Sequence, residues 1–553
     1  MSNPQTLCAA MHCFCDKRQS PFPLGRPVLP LVLVCIGLLM ASAAGAAAEA
    51  DGDPKAGEPA EKEGPADEGS GKKAELPVPK EESSVTHHQV TIGGQQISYT
   101  ATAGTLLIRK ADQPVASMFY VAYTRDGITD AERRPVTFFY NGGPGSSTIW
   151  LHMGSFGPRI VETANAQVSG PAPYNVVNNG NSLLDRSDLV FIDAIGAGFS
   201  KPAGKGKTKD FWSVDGDLDA FASFITRYVT LNHRWNSPKF LFGESYGTLR
   251  SAGLAFRLHQ QGMDLNGVVL LSSALDLGLL FSPIADEPVE NILPTCAAIA
   301  WYHDKLPRKP ADLAAFLQQV RDYAVGDYAQ ALAKGYTLPS AQLDAVAERL
   351  HEFTGLSVKY LKECNLRVEP TRFRKELLRD ERRSVGRYDG RFEGIDVDSA
   401  GEAPAFDPSQ YAVEGAFVAA FNSYLADELK FSQDSRYEVI SMEIFKNWDF
   451  KHALPQFVGF PVPYPMAYLV DDLGQAMREN PHLKVLSANG YFDLATPFFG
   501  TERDLNHMGL DSSLRDNLTI KYYPSGHMVY LNPESRKAFR ADLEAFYDGA
   551  AHP

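Results

Sequence analysis

The sequence predicts an α/β fold built on a central, mostly parallel sheet, and three observations carry that expectation. Short, almost uninterrupted apolar runs end in glycine-rich turns: Pro135-Val-Thr-Phe-Phe-Tyr140, Asp188-Leu-Val-Phe-Ile-Asp193 and Lys239-Phe-Leu-Phe-Gly243. Runs of that kind belong to strands covered on both faces. Amphipathic helical stretches alternate with them, as a parallel sheet requires. The strand pattern then resumes near the C-terminus, after a long stretch of different character.

Taken in order, the folded body starts with alternating segments. Val90-Thr-Ile, Ile97-Ser-Tyr-Thr-Ala-Thr, Thr105-Leu-Leu-Ile-Arg and Ala116-Ser-Met-Phe-Tyr-Val-Ala-Tyr read as antiparallel strands joined by turns. Residues 213–229 have helical spacing, with Leu218, Phe221, Phe224, Ile225 and Tyr228 on one side. A second helix is expected from Tyr246 to about residue 261, and the next strand over 265–272. From about 282 to 451 the chain reads as a mostly helical insertion, with helices over 311–333, 340–353 and 414–429. Strands over 483–488 and 518–523 and a last helix over 533–547 complete the sheet. The expected organisation is thus 87–281 plus 452–553 as the core and 282–451 as the insertion, with no internal repeat.

Lys+Arg is 53 and Asp+Glu is 67, a net charge of −14 over 553 residues. That balance removes the electrostatic footprint of a nucleic-acid binder. Residues 27–48 carry no charge, and Lys17, Arg18 and Arg26 precede them. A basic flank, a short apolar run and a small-residue end describe an export signal over 1–48, cut near Ala46 or Ala48. The alternative is an uncleaved membrane anchor facing outward, since the uncharged stretch is about long enough to span a bilayer. Residues 49–86, rich in Glu, Lys, Gly, Pro and Ala, read as a disordered spacer. The adjacent His87 and His88 lack further ligands in reach, so no metal or other cofactor is expected.

Gly243-Glu-Ser-Tyr-Gly247 follows a strand and opens a helix. That is the context in which a sharp turn exposes a serine hydroxyl as a nucleophile, here Ser245. A serine needs a base to take its proton, and the base needs a carboxylate to orient it. Asp493, just past one late strand, and His527, just past the next, stand in the order serine, acid, histidine. His507, Asp504 and Asp511 are the rivals; all three read as solvated helix or helix-end residues. The early turn Asn141-Gly-Gly-Pro-Gly-Ser-Ser147 lacks the Gly-Lys-Ser/Thr of a phosphate loop and suits an oxyanion hole instead.

Asn141-Gly-Gly-Pro-Gly-Ser-Ser, Asp193-Ala-Ile-Gly-Ala-Gly-Phe-Ser200, Gly243-Glu-Ser-Tyr-Gly, Asp493 with Thr496-Pro497, and Gly526-His-Met resemble the motifs of the serine carboxypeptidase family (peptidase S10), in that family's order. The resemblance implies an α/β-hydrolase fold with a helical cap and removal of C-terminal residues from peptides through an acyl-enzyme. It assigns Ser245 as nucleophile, His527 as base and Asp493 as its partner. It assigns the N–H groups of Gly143 and Tyr246 to the oxyanion hole, and Asn141, Gly142 and Glu244 to the substrate's terminal carboxylate. Three positions depart from the pattern: Phe139 where the family usually has Trp, Ser146 where it often has Cys, and Ser155 where a second glutamate would help hold that carboxylate.

Two other readings stay open: the same triad acting on esters or transferring acyl groups, and a non-catalytic binding protein of this fold. Six cysteines are too few for a disulfide scaffold. Cys8, Cys13, Cys15 and Cys35 lie at the extreme N-terminus, and for an exported chain a bond between Cys296 and Cys364, both in the insertion, is expected.

Overall fold

The structure is a computed structural model that describes residues 75–454 and 463–551. The expected export signal and residues 49–74 of the expected spacer lie outside them. Nine strands form the main path of the sheet: β1 (Ser83–Ile92), β2 (Gln95–Lys110), β3 (Gln113–Arg125), β4 (Val136–Tyr140), β5 (Asp188–Ile192), β6 (Lys239–Glu244), β7 (Gly267–Leu271), β8 (Lys484–Gly490) and β9 (Leu518–Tyr523). Their spatial order is β1-β2-β3-β5-β4-β6-β7-β8-β9, and the short strand Lys201–Pro202 joins β3 as a tenth. β1, β2, β3 and β5 pair antiparallel in turn, and every pairing from β5 to β9 is parallel. This is the mostly parallel α/β-hydrolase architecture expected from the sequence.

Both faces of the sheet are covered, which is why its central strands are predominantly apolar. Val136, Phe138 and Tyr140 of β4 point to one core and Phe139 to the other, as the two-residue period of a strand dictates. The first core is closed by α1 (Val214–Leu231) and α2 (Tyr246–Gln260). Ser213 caps α1 by accepting the Gly216 N–H, and Asp215 and Asp217 sit in its positive first turn. On the second face Phe139 stacks between Phe191 of β5 and Phe242 of β6, ring centroids 4.6 and 4.8 Å away. A phenylalanine therefore fills the position where a tryptophan was the family expectation.

The insertion begins with α3 (Glu287–Tyr302), a helix that continues through Pro294, so its breaker hid it from a periodicity reading. α4 (Leu313–Tyr323) and α5 (Ser340–Thr354) pack on α3 around a third apolar cluster that also takes in Phe492 and Phe498 from the core. The helix expected over 311–333 is two pieces, Leu313–Tyr323 and Ala329–Lys334, joined by a wide turn in which Gly326 leaves helical geometry (φ −102°, ψ −109°). α6 (Pro408–Asp427) starts six residues before the expected 414, with Asp407 accepting the Ser409 N–H ahead of Pro408. Its buried side joins the second face of the core sheet and not the α3–α5 cluster. α7 (Val470–Glu479), α8 (Phe498–Asn506) and α9 (Pro533–Ala551) return the chain to the core.

Two expectations are corrected. The spacer does not extend to residue 86: the Leu76 N–H donates to the Gly204 carbonyl at 2.9 Å, Glu81 accepts the Leu107 N–H at 2.7 Å and pairs with Arg227, and β1 begins at Ser83. An edge strand with one wet face needs little apolar content, so composition undercounts it. Nor are Cys296 and Cys364 bonded; both are free and buried. Cys296 faces Tyr328, Leu350 and Leu361 around a small apolar cavity, where burial pushes its thiol pKa up. Cys364 closes the helix Val358–Glu363, and its Sγ accepts from Arg372 Nη1 at 3.9 Å. The two thiols meet different neighbours, and a disulfide needs facing Cβ atoms. Peptide mapping after alkylation without reductant should therefore find both residues unmodified in native protein and both alkylated after denaturation.

Candidate active site

β6 ends at Glu244 and α2 begins at Tyr246, which leaves Ser245 as the whole turn between them. Its backbone stands at φ +62°, ψ −130°, a region that L side chains rarely enter. Two close approaches hold it there. A Cβ on Gly243 would fall 2.1 Å from the Gly247 carbonyl oxygen, and one on Gly142 would fall 2.4 Å from the Tyr246 nitrogen. The Ser245 N–H is tied to the Leu271 carbonyl at 2.9 Å, and its own carbonyl takes both the N–H and the hydroxyl of Thr248. The side chain is left half-buried, with no cap hydrogen bond.

The glycine loop after β4 lies directly over the start of α2. Gly142 accepts the Ser146 N–H at 3.1 Å, which curls the loop. No hydrogen bond within the described residues uses the N–H of Gly143 or of Tyr246. Asp193 props the loop from below: its Oδ1 accepts the Thr148 N–H at 2.8 Å, and burial raises its carboxyl to about 6. Arg250, fully buried on α2, holds the other side. It donates to the Asn141 carbonyl at 2.7 Å and to both oxygens of Asp217 at 2.7 and 3.2 Å.

Asp493 and His527 come together from the ends of β8 and β9. His527 Nδ1 lies 2.7 Å from Asp493 Oδ2, and both residues are buried. The carboxylate also accepts the N–H groups of Ala495 and Thr496 at 2.8 and 3.1 Å and the Thr496 hydroxyl at 2.6 Å. Thr496 Oγ1 is 3.2 Å from His527 Nδ1, so it braces the pair. Burial alone would lower the His527 pKa; the Asp493 charge and hydrogen bond outweigh it and hold the imidazole above its usual value. The His527 carbonyl accepts the Ser272 hydroxyl at 2.6 Å. Ser272 follows Leu271, so the end of β7 anchors the serine and histidine segments side by side. The Ser245 hydroxyl and the His527 ring are not hydrogen-bonded to one another.

Glu244 lies beneath the elbow at 2% exposure. Burial pushes its carboxyl up to about 7, against the opposing pull of His527, Tyr530 and Asn141. Tyr530 donates its hydroxyl to Glu244 Oε2 at 2.9 Å, and Asn141 Oδ1 accepts the Leu151 N–H at 3.0 Å, which leaves the Asn141 amide to face Glu244 and Tyr530. Ser155 is turned away: its hydroxyl donates to the Leu151 carbonyl at 2.5 Å, back into its own helix. Glu244 thus has a phenol for company where a second carboxyl was the family pattern. Tyr530 was not singled out from the sequence, and Thr496 figured only as part of the Asp493 motif, without a role. Each stands three residues beyond a candidate, Tyr530 after His527 and Thr496 after Asp493, and that spacing was the available signal.

Of the rivals, His507 and Asp511 are exposed. Asp504 is not solvated as expected: it is half-buried beside Asp276, and its carboxyl rises to about 8, through burial first and that like charge second. Neither rival acid hydrogen-bonds His527. Among the described residues no group of acidic, histidine or cysteine side chains has a metal site's geometry, and no helix is long and apolar enough to cross a membrane.

The Glu244 shift has a stability consequence of definite sign. The folded pKa of about 7 exceeds the unfolded 4.5. Stability from this group is therefore full below pH 4.5 and falls as pH rises through 7, by on the order of 3 kcal/mol. Denaturant unfolding of Glu244→Gln against the parent should show the variant gaining by about that amount between pH 4.5 and pH values well above 7. A constant difference across that range would show that Glu244 ionises normally in the fold.

The model of the serine carboxypeptidase family matches residues 94–275, which include the glycine loop and Ser245. A relative from Dictyostelium discoideum, serine carboxypeptidase S10 family member 1, is 22% identical over 168 residues, 30% of this chain. The match spans 37% of that relative's own length. The solved structure of Kex1(delta)p, a prohormone-processing carboxypeptidase from Saccharomyces cerevisiae, superposes with a TM-score of 0.50 at 14% identity, covering 81% of this chain and 91% of the other. That likeness extends the common fold beyond the segment recognised by sequence. Over residues 94–275 the chain is thus similar to the serine carboxypeptidase family, a family of hydrolases.

Proposed function

We propose that this hydrolase is a serine-type carboxypeptidase that removes C-terminal residues from peptides through an acyl-enzyme. The observation that carries the proposal is the strained Ser245 elbow standing beside the His527–Asp493 pair, with two uncommitted N–H groups next to it. In this reading His527 takes the Ser245 proton as the hydroxyl attacks the scissile carbonyl. The N–H groups of Gly143 and Tyr246 receive the developing oxyanion. His527 then returns the proton to the leaving amine, and water repeats the cycle on the acyl-enzyme. Asp493 holds the imidazole in the tautomer that presents Nε2 to the serine. Asn141, Gly142 and Glu244 receive the peptide's terminal carboxylate, for which Glu244 must carry a proton to donate. A carboxyl raised to about 7 supports that role. The uncharged segment at 27–48 supports action outside the cytoplasm, on peptide substrates met there.

A second reading, an esterase or acyltransferase with the same nucleophile, is favoured by one observation: Ser155 offers no second carboxyl, and Tyr530 already occupies Glu244. Digestion of a peptide library separates the two. Single-residue ladders from the C-terminus mean a carboxypeptidase; turnover of esters with intact peptides means the alternative.

A fluorophosphonate should label Ser245 in native protein and fail to label Ser245→Ala. Ser245→Ala or His527→Ala should lower kcat by roughly 10⁴–10⁶-fold and Asp493→Asn by about 10⁴-fold. Near-full activity in Asp493→Asn would assign the orienting role to another acid.

The pH profile for peptides should be a narrow bell near neutrality. Its acid limb follows His527, whose pKa is raised above 6.5 and which must be neutral to act as base. Its alkaline limb follows Glu244 losing its proton near 7. Glu244→Gln keeps a donor without titrating, so kcat/KM for peptides should lose the alkaline fall, and esters without a free carboxylate should show little change. Equal impairment of both substrates would make Glu244 a brace of the elbow only.

A further inference from the structure

The insertion sends a loop, between its paired strands Arg383–Val385 and Glu393–Ile395, across the end of the sheet. Two consecutive residues of that loop clasp both halves of the acid–base pair. The Arg387 carbonyl accepts the Leu494 N–H at 3.0 Å, and the Tyr388 carbonyl accepts the His527 N–H at 2.6 Å. The Tyr388 ring centroid lies 5.2 Å from that of His527, and the Arg387 guanidinium lies 5.2 Å from the same Tyr388 centroid. One aromatic ring therefore separates a cation from the histidine.

The fold leaves that cation unanswered. The Arg387 side chain makes a single long hydrogen bond, to Tyr388 Oη at 3.5 Å, and among the described residues no carboxylate oxygen comes within 4.0 Å of it. Asp407 is engaged elsewhere: its Oδ1 accepts the Arg387 backbone N–H at 3.0 Å and lies 3.9 Å from the Arg374 guanidinium. Asp407 therefore answers the Arg387 backbone and the Arg374 guanidinium, not the Arg387 side chain. Arg391, by contrast, is closed by Asp389, with contacts of 2.6 and 2.9 Å. A half-buried guanidinium without a carboxylate keeps its planar fork free for one supplied from outside. The surroundings sharpen the point: with a net charge of −14 the chain as a whole repels anions, so admitting one needs a local cation. Glu244 hydrogen-bonds Tyr530 and faces Asn141 beneath the elbow, neither of which is a partner of Arg387.

The geometry points to Arg387 as a specificity-determining residue that receives a carboxylate of the substrate beside the scissile bond. The assignment rests on the hydrolase reading above. The carboxylate would come from an acidic side chain on either side of that bond, since the terminal carboxylate falls to Asn141, Gly142 and Glu244 in that reading, and the experiment separates the two sources.

Two matched pairs of N-acyl dipeptides serve as probes: Glu against Gln in the first residue, and Glu against Gln in the last. The quantity read is the ratio of kcat/KM within each pair, so a general loss of activity cancels. Wild-type enzyme should favour the carboxylate member of at least one pair by about tenfold or more, and Arg387→Gln should cut that ratio by about tenfold. The pair that collapses identifies the source. Arg387→Lys keeps the charge but not the fork and should retain an intermediate ratio; if Arg387→Gln does not fold, a ratio in Arg387→Lys equal to wild type overturns the assignment. Wild-type ratios near one in every pair, or a preference that survives in Arg387→Gln, also overturn it. Fluorophosphonate labelling of Ser245 with ratios near one removes the Arg387 role alone; absence of labelling removes the hydrolase reading with it.

Discussion

The site depends on one backbone contact, the seating of the Asn141–Gly143 loop against the first residues of α2. Gly142 comes so near the Tyr246 nitrogen that no side chain fits between them. That closeness sets two uncommitted N–H groups beside one another and beside the Ser245 hydroxyl. It also accounts for the strain at Ser245, because a relaxed turn would swing the start of α2 away from the loop. The contact is clamped from within the core by Arg250, which spans α2, Asp217 of α1 and the Asn141 carbonyl with no exposed surface. Removing one partner of so buried a pair costs about 3–5 kcal/mol in other proteins. The glycine loop is thus held by the stability of the whole domain and not by its own short length.

Charge around the elbow is arranged by depth. His527 and Asp493 are buried yet satisfy each other, and Thr496 and two backbone N–H groups take up the remaining acceptor capacity of the carboxylate. Glu244, equally deep, has a phenol and an amide beside it, and burial outweighs the pull of His527, so its acid form is favoured. Burial thus pushes the Glu244 carboxyl up while the Asp493 charge holds the His527 imidazole above its usual value, so neighbouring groups are tuned by different surroundings. The insertion contributes as much as the sheet: its Tyr388 carbonyl fixes the His527 backbone, and its Arg387 brings positive charge to an otherwise acidic protein.

Legibility in the sequence followed the range of the interaction. The parallel strands were readable because a strand buried on both faces is apolar along most of its length, and β4, β5, β6 and β7 carry such runs, broken only at Thr137 and at the strand ends Asp188, Lys239 and Glu244. The three residues Ser245, Asp493 and His527 were readable because each closes a strand and stands in a glycine- or proline-marked turn. Where local chemistry contradicted the fold, reading failed. Pro294 concealed α3, whose burial against α4 and α5 offsets the lost hydrogen bond. The cysteine pair was inferred from compartment and shared membership of the insertion, and neither speaks to where a Cβ points.

Composition and pattern alone determined the fold class, the order of the strands along the chain and the identity of the chemical groups, since these follow from side-chain periodicity and from residues adjacent in the chain. What surrounds each group was decided by tertiary structure. Tyr530 comes to Glu244 across 286 residues, Ser272 to His527 across 255, and the Tyr388 ring, carried by the insertion, to the imidazole of the core. The protonation state of Glu244 and the unanswered charge of Arg387 are properties of those distant neighbours, because a buried charge is governed by what faces it in space and not by what precedes it in the chain.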